Sequence, residues 1–123
     1  MIKMNILEKL EMQGPFLLTR SIINEKVDQD RVGNYALGYS DGNTFCVQYV
    51  GRSDTDVKAR LEQHVPEKYS RFMFSYATTQ KAAFEKECRN YHDFIKIQKL
   101  DNKNHPDRPA RSSWKCPCCD VFD

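Results

Sequence analysis

Residues 33–51 read GNYALGYSDGNTFCVQYVG, two runs of apolar and aromatic residues on either side of a polar SDGN segment. Residues 34–39 and 44–50 have the aromatic and β-branched content that is typical of strands. The Asp-Gly pair between them is a strong signal for a hairpin turn. We therefore predict an antiparallel hairpin that carries Tyr35 on its first strand and Tyr49 near the end of its second.

Two helices and one more strand are predicted after this hairpin. Ser53 is a candidate N-cap, because Asp56 follows it by three residues in the spacing of a capping box, and Pro66 marks the end of this helix. Residues 71–77, RFMFSYA, alternate in the manner of a strand, and residues 80–95 carry apolar side chains at helical spacing. The predicted order after the hairpin is helix, strand, helix.

The 123 residues, 40% of them hydrophobic, suit one domain with one core. Residues 1–30 are predicted to form a helical lead-in, with a second short helix at 17–27. Residues 31–100 form the predicted core, and residues 101–123 a basic, cysteine-containing, irregular tail that packs on it. The expected fold is α+β, a small three-stranded antiparallel sheet flanked by helices.

Charge and hydropathy narrow the possible classes of protein. The formal net charge of +2 is lower than is usual for a strong non-specific nucleic-acid binder. Residues 96–115 nevertheless contain six Lys and Arg against two Asp, which suits either a phosphate backbone or a solvated tail. No apolar run reaches membrane-spanning length and no signal-peptide pattern is present. We expect a cytoplasmic protein without membrane association, with nucleoid and nuclear locations left open.

Glu87 falls within the apolar face of the helix predicted at 80–95. At about 100° per residue, it lies in the same stripe as Phe84 and Cys88. An ionised carboxylate is costly to dehydrate unless it is paired. Glu87 is therefore expected to have a cation, a metal ion or a hydrogen-bond network as its partner, and Arg60 is one candidate for a structural ion pair.

Five short motifs follow one another between residues 33 and 104. In chain order they are Gly33-Asn34-Tyr35, Tyr49-Val50-Gly51, Arg60 within KARL, Glu87, and an asparagine within DNKN at 101–104. Together these motifs, over residues 33–104, resemble the GIY-YIG nuclease superfamily. The chain departs from the family pattern at Asn34, where isoleucine is usual, and in the longer interval between Tyr35 and Tyr49.

The resemblance implies a GIY-YIG-like fold and a metal-dependent endonuclease that hydrolyses phosphodiester bonds. Its partner would be nucleic acid, with DNA as the first candidate, and its role would lie in repair, restriction or mobile-element processing. The alternative is a non-catalytic nucleic-acid-binding or interaction module on the same fold. The modest net charge favours that alternative.

The motif residues have the chemistry that phosphodiester hydrolysis requires. The reaction needs an activated water, positive charge near the non-bridging oxygens and a stabilised leaving oxygen. Glu87 would hold one Mg²⁺ or Mn²⁺, and the guanidinium of Arg60 would contact a phosphate. The resemblance implies that Tyr35 activates the water, and Tyr49 would reach the water or a phosphate oxygen.

His64 and Asn102 complete the predicted site. A tyrosine is a weak base at its ordinary pKa of about 10, so Tyr35 needs nearby cations that favour the phenolate, or it must pass its proton onward. His64 follows Arg60 by four residues on the same helical face, where some family members carry a histidine, and it is predicted to accept this proton. The asparagine of the family corresponds to Asn102 or Asn104, and Asn102 is favoured.

Three of the five cysteines lie in a CPCC segment near the C-terminus. Cys116 and Cys119 have the C-x₂-C spacing of half a zinc site, and a packing element without metal is the alternative. Further ligands would come from Cys118, His105, Cys88 or Cys46. His92 lies on the solvent side of its predicted helix and receives no role.

Overall fold

A computed structural model describes residues 10–65, 68–96 and 100–123. The elements are β1 (Gln13–Leu17), α1 (Arg20–Lys26), β2 (Gly33–Asp41), β3 (Thr44–Ser53), α2 (Val57–Gln63), β4 (Arg71–Tyr76) and α3 (Gln80–Ile95). The fold is α+β, as predicted. Residues 1–9 of the predicted lead-in and Pro66, the predicted end of a helix, lie outside the described residues.

Within the described residues, the sheet has four antiparallel strands in the order β1-β4-β2-β3, so the prediction of three strands was wrong. The additional strand, β1, lies within the segment predicted as a helical lead-in, and it pairs Phe16 with Phe72 and Leu17 with Arg71. A five-residue edge strand with a proline lacks a clear alternating pattern. Its strand conformation depends on the edge that β4 offers, which local sequence does not contain. Helix α1 does fall within the short helix predicted at 17–27.

β2 and β3 form the predicted hairpin and extend it at both ends. At the turn, Gly42 has a φ of 61°, a conformation that glycine adopts without steric cost. The register passes from the pair Leu37 and Tyr49 to the pair Gly38 and Val47. Gln48 is therefore an extra, bulged residue in β3. This bulge takes up part of the long interval between Tyr35 and Tyr49.

Both faces of the sheet are covered. One face packs against α1 and α2 through a cluster that includes Tyr35, Leu37, Phe72, Ile23 and Leu61. The other face packs through a cluster that includes Ala36, Val50, Met73 and, from α3, Phe94. Because alternate residues of a strand point to opposite faces, β3 has side chains directed toward each helical layer. As the edge strand, β3 also borders both layers, and this places the functional residues around it.

The bounds and N-caps of α2 and α3 test the helix predictions. Helix α3 spans Gln80–Ile95, as predicted, with Thr79 as its N-cap. The N-cap of α2 is Asp56, whose side chain accepts from the N–H of Ala59, so the assignment of Ser53 was wrong. Ser53 Oγ instead accepts from the backbone N–H groups of Thr55 and Asp56, and orders the loop before the helix.

The tail, residues 101–123, lies on α3 in irregular conformation. A third cluster joins Phe84 and Cys88 of α3 to Cys116, with Trp114 and Phe122 packed against it. The rings of Phe84 and Trp114 are 6.3 Å apart, so the single tryptophan anchors the tail. Within the part of the chain that the structure describes, none of the helices has the length and apolar character needed to cross a membrane.

Candidate functional site

Glu87 is buried, with 9% of its surface exposed, and its cation partner is Arg52. Arg52 Nη1 donates to Glu87 Oε1 at 2.6 Å, while Nε and Nη2 of the same guanidinium donate to Asp54 at 2.9 and 3.4 Å. The prediction of Arg60 as the ion-pair partner was therefore wrong. Arg52 lies two residues after Val50 on β3, so it points to the same face, toward α3.

Burial and charge shift the pKa of each member of this pair in opposite directions. Burial raises the pKa of Glu87 above its usual value, while the charge and hydrogen bond of Arg52 and the charge of Arg60 act to lower it. Burial lowers the pKa of Arg52, but Asp54 and Glu87 outweigh this and raise it. Arg52 therefore remains a cation, and it holds the Glu87 carboxylate in one orientation.

A polar cavity of about 220 Å³ opens beside this pair. It is lined by Arg52, Asp54, Arg60, Glu87 and Asp107. Arg60 comes from α2 and is exposed, and Asp107 comes from the tail. Two guanidinium groups and three carboxylates make this cavity strongly polar, with a negative formal charge.

A second cavity, of about 400 Å³, shares Glu87 and Asp107 with the first, so the two adjoin. We call the two cavities together the cleft. The second cavity is also lined by Tyr49 and by residues 101–106, which include Asn102 and Asn104. The cleft thus brings together the predicted residues Tyr49, Arg60, Glu87 and Asn102.

Tyr35 is only 1% exposed and is not among the residues that line the cleft. Its hydroxyl is 3.0 Å from His64 Nε2, which is the contact that the predicted proton transfer requires. The Tyr35 and Tyr49 rings are stacked with centroids 6.3 Å apart, and the His64 ring lies 5.3 and 5.4 Å from them. A Cβ at Gly51 would overlap the phenol end of Tyr35, so the second motif needs glycine at this position.

Asn102 uses both ends of its amide to bind the backbone of β3. Its Oδ1 accepts from the N–H of Val50 at 3.0 Å and its Nδ2 donates to the carbonyl of Val50 at 2.8 Å. The N–H of Asp101 donates to the carbonyl of Gln48 at 2.6 Å. These bonds cover part of the free edge of β3 and hold the start of the tail beside the cleft. Asn104 also lines the cleft but is exposed.

Three residues of the first cavity, Arg52, Asp54 and Asp107, were not found by sequence reasoning. Arg52 could have been found from strand alternation, because Val50 and Arg52 share a face. Asp54 and Asp107 lie outside helices and strands and offer no periodic signal. Their positions depend on how the loop after β3 and the tail fold back toward α3.

A second group of chemically active side chains lies away from the Arg52–Glu87 pair. The ligand atoms of His92, His105, Cys116 and Cys119 all lie within 4.8 Å of one another. We call this group the His–Cys cluster, and it could hold a metal ion. His105, Cys116 and Cys119 were sequence candidates, whereas His92 was given no role. His92 lies in the cluster because the tail folds over the side of α3 that periodicity treats as solvent-facing. The other candidates, Cys118, Cys88 and Cys46, are not in the cluster.

Cys116 has an unusual thiol environment. Burial acts to raise its pKa, but hydrogen bonds, the first of them from the backbone N–H of Cys118, outweigh burial and lower the pKa of Cys116 to about 6. Burial raises the pKa of the neighbouring Cys88 well above its usual value. Of these two cysteines, Cys116 therefore has the environment that favours the thiolate.

No protein-family model, curated protein or solved structure gives a match to this chain. The resemblance to GIY-YIG nucleases therefore stays a prediction from the motifs. The geometry of the cleft and of the His–Cys cluster is the basis for assigning a function.

Proposed function

We propose that this protein is a metal-dependent endonuclease that hydrolyses phosphodiester bonds in nucleic acid, with DNA as the first candidate substrate. One observation carries the proposal: Tyr49, Arg60 and Glu87 line adjoining cavities, although they lie on β3, α2 and α3. The order of the motifs alone predicted that these residues would meet. A phenol, a guanidinium and a carboxylate along two adjoining cavities suit a phosphodiester and a cation.

The charge of the cleft supports dependence on a metal ion. Asp54, Glu87 and Asp107 outnumber the two arginines in the first cavity, so a phosphodiester on its own would be repelled. A divalent cation would reverse the sign of this charge. Carboxylate oxygens are the ligands that Mg²⁺ and Mn²⁺ prefer, and we assign Glu87 as the main ligand, with Asp107 beside it.

The Arg52–Glu87 contact suits this assignment. Arg52 bonds Oε1 of Glu87, and we assign the other oxygen, Oε2, to the metal ion. Hydrogen bonds to a ligating carboxylate fix its orientation, as partners behind metal ligands commonly do. When bound, the ion would stabilise the charge that develops on the phosphate and on the leaving oxygen.

Arg60 and the tyrosines have separate roles in this proposal. Arg60 is exposed in the cleft and would bind a non-bridging phosphate oxygen. Tyr35 would take the proton of the attacking water and pass its own proton to His64, 3.0 Å away. Because Tyr35 is buried, water must approach it beside the half-buried ring of Tyr49.

A plasmid-nicking assay with Mg²⁺, Mn²⁺ or chelator tests the proposal. We expect nicking that needs a metal ion, and loss of about 10²-fold or more in rate for Glu87→Gln. Glu85→Gln is the matched control, since it makes the same chemical change on the same helix outside the cleft, and it should retain activity. A folded Glu87→Gln protein that cuts as fast as wild type would contradict the proposal.

A non-catalytic nucleic-acid-binding module is the second candidate. The 2.6 Å ion pair favours it, because pairing with Arg52 supplies a structural reason for the buried Glu87. Binding without cleavage of duplex, branched or single-stranded DNA, or of RNA, with either metal ion would favour this candidate over the nuclease.

A further inference from the structure

The His–Cys cluster joins two parts of the chain, α3 and the tail. His92 lies on α3, while His105, Cys116 and Cys119 lie in the tail. Two imidazole nitrogens and two sulfurs are a donor set that is typical of structural zinc. An ion bound here would be a cross-link between the helix and the tail.

Two distances within the cluster match those between donor atoms that share one zinc ion. Zn–N bonds of about 2.0 Å and Zn–S bonds of about 2.3 Å in a tetrahedron place two nitrogens about 3.3 Å apart, and a nitrogen and a sulfur about 3.5 Å apart. The Nε2 atoms of His92 and His105 are 3.2 Å apart, and Cys119 Sγ is 3.4 Å from His105 Nε2. The cluster therefore has nearly the size that zinc requires.

Backbone groups orient two of the four ligands. His105 Nδ1 is 2.7 Å from the carbonyl oxygen of Pro106, which only accepts, so Nδ1 carries the hydrogen and Nε2 faces the cluster as an electron-pair donor. The N–H of Cys118 donates to Cys116 Sγ at 3.4 Å, which directs that sulfur. Outer partners of this kind are usual behind metal ligands.

The tail has no regular secondary structure of its own. Residues 100–123, all of them described, form no helix or strand. Their buried hydrophobic residues are Leu100, in the cluster of Phe94, and Cys116, in the cluster of Phe84. Segments with so little buried apolar surface commonly need a metal ion or disulfide to stay folded.

We propose that His92, His105, Cys116 and Cys119 bind one structural Zn²⁺, and that this ion holds residues 101–107 in place as one wall of the cleft. His105 connects the two roles, because it is a ligand and also lines the second cavity, between Asn104 and Asp107. The proposal does not depend on nuclease activity.

Metal analysis of the full chain, purified without chelator, tests the binding. We expect about one zinc per chain, and visible bands of tetrahedral, thiolate-bound cobalt after Co²⁺ replaces zinc. His92→Gln and Cys119→Ser should lose most of the zinc, while the matched control Cys118→Ser, which changes a thiol outside the cluster, should retain it. Wild-type protein that takes up neither metal would overturn the proposal, as would equal zinc loss in Cys118→Ser.

Hydrogen exchange, before and after zinc removal, tests the positioning role. We expect the amides of residues 101–119 to exchange at least about tenfold faster without zinc, with little change in β2 and β4. A zinc-binding protein whose tail exchanges equally fast with and without the ion would overturn this part of the proposal. Neither measurement uses cleavage, so each stays decisive if the protein is not a nuclease.

Discussion

The cleft has two walls, and the molecule holds them in different ways. The sheet wall, with Tyr49, Arg52, Arg60 and Glu87, lies on elements whose apolar side chains are fully buried in the core. The tail wall, residues 101–107, depends on the Asn102 bonds to β3 and on the His–Cys cluster. Burial of apolar area is spread over many contacts, whereas a few directional bonds fail one at a time. The two walls should therefore respond differently to the same perturbation.

Zinc removal should have the largest effect, and on one wall only. Trp114 is the single tryptophan and lies in the tail against Phe84, so its fluorescence reports the tail, while far-UV circular dichroism reports the sheet and helices. In urea with chelator, we expect the fluorescence transition to occur at lower urea than the circular dichroism transition, because tail and core lose their coupling. Coincident transitions with and without chelator would show that the walls unfold as one unit.

Arg52→Met should lower the free energy of unfolding by about 3 kcal/mol, because it leaves Glu87 buried without its cation. The matched control is Arg60→Met, an exposed arginine of the same cleft, which should cost less than about 1 kcal/mol. The double variant Arg52→Met, Glu87→Met should cost less than Arg52→Met alone. Urea denaturation measures all three, and an equal cost for both arginines would contradict this account of the sheet wall.

Gly51→Ala should cost about 2 kcal/mol, since the added methyl group would overlap Tyr35 in a close-packed part of the sheet wall. Because Tyr35 must move, its contact with His64 should also change, and the histidine ring signals in an NMR spectrum would report this. A variant with wild-type stability and unchanged His64 signals would contradict this prediction, because it would show that the added methyl group does not displace Tyr35.

Asn102→Ala should have the smallest effect, about 1 kcal/mol, because the two bonds to Val50 are partly exposed. The amide of Val50 should exchange faster, as the edge of β3 loses its cover. Asn104→Ala, which changes an exposed residue of the same wall, is the control and should stay within about 0.5 kcal/mol of wild type. A larger loss of stability for Asn104→Ala than for Asn102→Ala would contradict the role of Asn102 in holding the tail against β3.

Features with a local cause could be predicted from the amino-acid pattern. The Asp-Gly hairpin and the full extent of α3 follow from neighbouring residues, since turn chemistry and helical periodicity act over a few positions. The position of Glu87 within an apolar stripe was predicted on the same basis. β1 was missed because its strand conformation comes from β4, more than fifty residues away in the chain.

Helix α3 shows the limit of what a local sequence pattern can predict. Its periodicity places Glu87 toward the sheet and His92 on the opposite side, and both positions are properties of the helix alone. That Glu87 meets Arg52, rather than Arg60, depends on the register and the bulge of β3. That His92 meets His105, Cys116 and Cys119 depends on a tail that folds back across the helix. Helical periodicity assigns a side chain to a face, but its partner is set by contacts between segments distant in sequence, and these exist only once the chain has packed.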